Sequence, residues 1–114
     1  YRHTWPQIRA GMNPAQIAAI MRAATTALGG VGGFELILLG EASAYPHGSG
    51  QPQAVREGEV VLMDCGCTVE GYQSDISRTF VFGQPTAAQR RVWEQVHEGQ
   101  EIAMLETRLA ERGW

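Results

Sequence analysis

The chain has 114 residues, 44% of them apolar and 18% charged, with a net charge of −3, which suits one modest soluble domain with a core of its own. Both charge signs are scattered, so no basic stripe argues for nucleic acid or an anionic membrane, and no apolar run approaches the roughly 20 residues that span a bilayer. Two cysteines, Cys65 and Cys67, lie two apart and build no disulfide framework, which points to a reducing, cytoplasmic setting.

In chain order, residues 1–9 read as the tail of a helix ending at Gly11, with Pro6 against it. Asn13-Pro14-Ala15-Gln16 is a helix start: Asn13 caps, Pro14 suits the first helical position, and Gln16 can reach back. Ile17, Ile20, Met21, Ala24 and Leu28 then share one face, and Gly29-Gly30 stops the helix. Phe34 to Gly40 is a short apolar run expected to form a buried strand. Residues 42–53 are rich in Gly, Ser and Pro and read as loop; they contain Tyr45-Pro46-His47-Gly48. Val60 to Asp64 is the first arm of a hairpin. Pro85-Thr86 opens the last helix, with Thr86 and Gln89 as a second capping box and Val92, Trp93, Val96, Ala103 and Met104 on its apolar face, running to about Arg112. Strands adjacent in sequence between two helices predict an α+β fold with an antiparallel sheet covered by helices on one side.

The hairpin carries the chemistry. Gly71 is its natural tip, because tight turns want positive φ. With a two-residue tip, residues an odd number apart across the turn share a face, so Asp64 and Asp75, eleven apart, share one. A Val69-Glu70 tip sets them directly opposite; a Glu70-Gly71 tip sets them diagonally, with β-carbons roughly 7–8 Å apart. Gly66, Thr68, Ser77 and Thr79 fall on the same face; Met63, Cys65, Cys67, Ile76 and Phe80 fall on the other. Aspartate is a poor strand former, and like charges on one sheet face repel. A divalent cation removes both objections, yet two carboxylates do not complete a site, and a wet sheet face with two exposed aspartates satisfies the same spacing.

Asp64-Cys65-Gly66, Gly71-Tyr72 and Ser74-Asp75-Ile76-Ser77-Arg78-Thr79-Phe80, followed by Gly83-Gln84-Pro85-Thr86, closely resemble the M24 pita-bread metallopeptidases, in particular Xaa-Pro dipeptidases (prolidases) and Xaa-Pro aminopeptidases. Pro46-His47-Gly48 resembles the family segment that carries a substrate-contacting histidine. The likeness runs from about residue 10 to 105. It implies a pita-bread fold and two divalent metal ions, with manganese favoured over cobalt or zinc. In that scheme Asp64 chelates one metal, Asp75 bridges both, and His47 contacts the substrate or the tetrahedral intermediate. A hydroxide held by the metals would attack the carbonyl of a peptide bond that precedes proline.

The family completes its site with a later His and two Glu residues, which His97, Glu98, Glu101 and Glu106 do not match in position. The expectation is therefore that residues 1–114 form the N-terminal half of a catalytic domain and are inactive alone. The other half would cover exposed apolar surface, and the full-length protein would be a homodimer acting on peptides, without nucleic acid or membrane. Two alternatives remain open: a metal-free pita-bread module that binds peptides or proteins, and an enzyme like methionine aminopeptidase.

Overall fold

The computed structural model describes residues 1–111. The chain divides into two compact units, residues 1–84 and residues 85–114. The first unit holds helix α1 (Pro14–Ala27) and a three-stranded antiparallel sheet in the order β1 (Val31–Leu39), β2 (Val60–Val69) and β3 (Tyr72–Val81). The second unit holds helix α2 (Ala87–Glu111).

The helix starts follow their sequence signals. The Asn13 side chain accepts from the Gln16 amide and the Gln16 side chain from the Asn13 amide, both at 2.9 Å, so the box satisfies two otherwise orphaned donors. Thr86 and Gln89 make the same reciprocal pair before α2, at 2.8 and 3.1 Å. Within the second unit, the Trp93 ring stacks on His97 at 4.8 Å and His97 reaches Glu101 at 3.5 Å. The apolar positions Val92, Trp93, Val96 and Met104 are exposed. The expected helix end at Arg112 lies outside the described residues.

The core lies on one face of the sheet. Ile37 and Leu39 of β1 and Val61, Met63 and Cys65 of β2 alternate onto it and meet Ile17, Ala18 and Met21 of α1. Each fully buried large aliphatic side chain here contributes roughly 1.5–3 kcal/mol. The expected apolar face of α1 is corrected at its end. Ala18 is buried, whereas Leu28 is 87% exposed, because it is the C-cap and has already left the helical face. Residues 1–9 are not the tail of an α-helix. Only Trp5–Gln7 coil, as a 3-10 turn with Pro at its start, and the segment is pinned by Thr4 and Ile8, which are buried, and by Trp5, whose ring stacks on Phe80 at 4.4 Å. The Tyr1 hydroxyl lies against the carbonyls of Met63 and Ile76 and so links β2 to β3.

β1 begins three residues earlier than its apolar run. A register irregularity between Val31 and Phe34 absorbs Gly32, whose φ of 58° only glycine adopts easily. Residues 40–44 form a further 3-10 turn, which takes in Gly40 from the expected strand and residues 42–44 from the expected loop.

The hairpin turns at Glu70-Gly71, with Val69 paired to Tyr72. Both tip residues have positive φ, 50° and 85°, the twist that matches flanking strands. Gly71 takes this freely; Glu70 carries a β-carbon and is strained by roughly 1–2 kcal/mol. Glu70→Asn is therefore expected to raise the unfolding free energy by about 0.5–1 kcal/mol, read as a higher urea midpoint with unchanged slope.

Candidate metal centre

The Glu70-Gly71 tip decides between the two registers. Asp64 pairs with Ser77 and Gly66 with Asp75, so the two aspartates are diagonal neighbours on one face. β1 extends that face with Phe34 opposite Gly66 and Leu36 opposite Asp64. Asp64 is half-buried on the central strand; Asp75 is exposed on the edge strand β3. The Ser77 hydroxyl donates to Asp64 Oδ1 at 2.8 Å. Asp75 instead lies across from Gly66, which has no side chain to bond it; the Phe34 ring lies over that glycine, with Cε1 2.6 Å from where a β-carbon would stand.

The opposite parity class is packed only in part: Met63 and Cys65 join the core, whereas Cys67 is half-buried and Ile76 is exposed. Cys65 lies in the core, and burial pushes its thiol up, so it stays a protonated, unreactive packing residue at neutral pH. Burial likewise raises the Tyr1 phenol beside it. Cys67 is half-buried, 3.6 Å from the Ser74 hydroxyl, and both cysteines are free thiols. Arg78 projects from this side and donates to the Ser77 carbonyl at 2.7 Å.

His47 is exposed, in a turn closed by the Gly48 amide bonding to the Tyr45 carbonyl at 3.0 Å. A β-carbon on Gly48 would lie 3.1 Å from Leu38 Cδ2, and Leu38, paired with Leu62, belongs to the aspartate face. The turn bearing His47 thus rests against the face that carries Asp64 and Asp75. The three residues are not gathered into a finished site: among the described residues no group of three His, Cys, Asp or Glu is placed to hold a metal.

Some of the surroundings escaped the sequence reading. A shallow cleft of ≈ 200 Å³ beside Asp75 is lined by Phe34, Thr68 and Gln73 among others. Thr68 and Gln73 follow from the hairpin arithmetic. Phe34 does not, because its place depends on the long-range pairing of β1. Ser77 was assigned to the correct face, but its bond to Asp64 needs the Glu70-Gly71 tip to be known.

The donor chemistry fits a divalent cation. Two carboxylates stand at diagonal positions of adjacent strands on one face, one of them held by a hydroxyl, and carboxylate oxygen is the donor that hard divalent ions take. Such ions take four to six ligands, so this pair is part of a coordination sphere.

The profile of metallopeptidase family M24 matches residues 1–113. The chain belongs to that family. Among relatives of this M24 chain, the Xaa-Pro dipeptidase of Pyrococcus furiosus is 39% identical over 69 residues, covering 60% of this chain and 20% of that protein. The X-Pro aminopeptidase of Thermotoga maritima MSB8 superposes with a TM-score of 0.80 at 37% identity, covering 86% of this chain and 28% of that one. The prolidase of Pyrococcus horikoshii OT3 superposes with a TM-score of 0.82 at 31% identity, covering 90% and 30%. The chain spans about a fifth of the length of the curated relatives it matches. The α+β fold, with helices and an antiparallel sheet, is of the pita-bread type expected from the motif. No helix among the described residues is long and apolar enough to cross a membrane.

Proposed function

We propose that this chain is part of an M24 exopeptidase that hydrolyses the bond before proline, as a dipeptidase or an aminopeptidase, using two divalent cations. The observation that carries the reading is the diagonal pair Asp64 and Asp75 on one sheet face, with Gly66 across from Asp75, in a chain similar to Xaa-Pro dipeptidases. Asp64 would hold one cation and Asp75 would bridge two. The remaining ligands, a His and two Glu in the family pattern, would come from sequence outside this chain, so residues 1–114 alone would be inactive. Bound cations supply Lewis acidity and a nucleophile at neutral pH; manganese is the proposed choice, since carboxylate-rich sites suit it.

His47 would donate a hydrogen bond to the substrate carbonyl oxygen as negative charge develops there. Its turn is supported by Leu38 on the aspartate face, which suits a group that must approach a substrate lying over that face. A proline after the scissile bond presents no N–H, so recognition there would rest on shape.

The test is hydrolysis of Ala-Pro, Ala-Ala and Ala-Pro-Ala by the full-length protein, before and after chelation and Mn²⁺ return. Turnover of the proline substrates alone, lost on chelation and restored by Mn²⁺, is expected. Cleavage of Ala-Pro but not Ala-Pro-Ala assigns the dipeptidase. Chelator-resistant turnover, or equal turnover of Ala-Ala, overturns the reading.

A further inference from the structure

We propose that Ser77 is the positioning residue for Asp64, fixing which carboxylate oxygen is left to a divalent cation. The inference rests on the metal reading above. Ser77 lies directly across from Asp64 in the β2–β3 register, and its Oγ donates to Oδ1 at 2.8 Å. An aspartate on a strand has several open side-chain rotamers and a carboxylate that can turn. The Ser77 bond selects one of them. An ionised carboxylate offers about four acceptor sites on two oxygens; this bond takes one at Oδ1 and leaves Oδ2 free.

Ser77 is itself held. Its backbone lies in the β2–β3 ladder, and the Arg78 guanidinium donates to its carbonyl at 2.7 Å. The hydroxyl is thus carried on a fixed stretch of strand, although the residue is exposed.

The two aspartates therefore differ in support, not only in position. Asp64 is half-buried and held by a hydroxyl. Asp75 is exposed, and the residue across from it, Gly66, has no side chain to hold it. A held carboxylate suits a ligand that must present one oxygen repeatedly to the same ion. A carboxylate without such a partner suits one that shares two oxygens between two ions. A purely structural cross-strand pair would show the same hydrogen bond, so the test must read metal binding and orientation separately from folding.

The experiment compares full-length wild type, Ser77→Ala and Ser77→Thr. Mn²⁺ affinity is read by calorimetry, the Asp64 rotamer in metal-free crystals, and folding by thermal unfolding. Ser77→Ala is expected to weaken the tightest Mn²⁺ site by about tenfold to a hundredfold, to release Asp64 from its single rotamer, and to leave the unfolding midpoint unchanged. Ser77→Thr keeps the hydroxyl and is expected to restore both affinity and rotamer. An affinity for Ser77→Ala within about twofold of wild type, or a Ser77→Thr protein as weak as Ser77→Ala, overturns the proposal. A wild type that binds no Mn²⁺ defeats the metal reading instead. The metal-free rotamer then judges Ser77 alone: an Asp64 unmoved in Ser77→Ala overturns its role, and a released one upholds it.

Discussion

Asp75→Ala in the full-length protein is expected to empty at least one metal position and to reduce kcat on an Xaa-Pro substrate by a thousandfold or more. The size follows from the several kcal/mol of transition-state charge stabilisation that a metal supplies, at about 1.4 kcal/mol per tenfold in rate. On the proposed reading Asp75 would bridge both ions, which makes it the more revealing of the two aspartates. The same substitution acts in the opposite direction on the metal-free fold. Asp64 and Asp75 are diagonal on one face with no cation between them in that state, so their repulsion opposes folding. Asp75 is exposed and makes no part of the core, so little packing is lost with it. Metal content by elemental analysis, kcat, and the unfolding midpoint of the chelated protein check the three parts. An Asp75→Ala enzyme with full metal content and wild-type turnover would show that the carboxylate is no ligand.

The opposite signs separate a functional aspartate from a surface one. A solvated residue changed to alanine alters stability within about ±0.5 kcal/mol and leaves activity alone. A ligand held in place against its neighbour's repulsion gives up function while relieving the fold. Hence the chelated protein is the useful comparison: it exposes the repulsion that a bound cation would mask.

How much could be read in advance depended on the range of the interactions. The hairpin was legible because its logic is local. Side chains alternate with period two, the tip wants positive φ, and one pair of tip residues then settles every neighbour from Val60 to Val81. Asp64, Asp75, Gly66, Ser77 and the two cysteines all fell on the faces expected. Both capping boxes were legible for the same reason, since each closes within three residues. The failures lie where tertiary contacts override a local pattern. Thr4 and Ile8 look unremarkable in sequence, yet they bury against the rest of the unit and hold residues 1–8 in a turn rather than a helix. The start of β1 was hidden because Gly32 and Gly33 have poor strand propensity, and they join the strand only through the flanking pairs Val31–Thr68 and Phe34–Gly66 across an irregular register. His47 could be named from its motif, but its relation to the aspartate face depends on Gly48 meeting Leu38, a contact that no short-range rule supplies.

Gly66→Ala is the second large effect expected, and it links fold to site. Adding a methyl to a strand glycine ordinarily helps by roughly 0.5–1 kcal/mol, because glycine loses more backbone freedom on folding. Here the added β-carbon would stand 2.1 Å from the Ser74 carbonyl oxygen and 2.6 Å from Phe34 Cε1. The phenyl ring can turn aside. The carbonyl belongs to the backbone of β3, beside Asp75, and its shift would disturb the ladder between the two aspartates. Overpacking of this kind costs about 1–3 kcal/mol, which exceeds the entropic gain and reverses the sign. The unfolding midpoint should fall, and metal affinity should fall with it, since β3 carries Asp75 and Ser77 together. Gly50→Ala is the matched control: a β-carbon there meets nothing within 4 Å, and its φ is not in the left-handed region. It is expected to be neutral or stabilising by less than about 1 kcal/mol. If Gly66→Ala proved as stable and as tightly metal-bound as Gly50→Ala, the close approach of β3 to β2 would not be what sets the spacing of the two carboxylates.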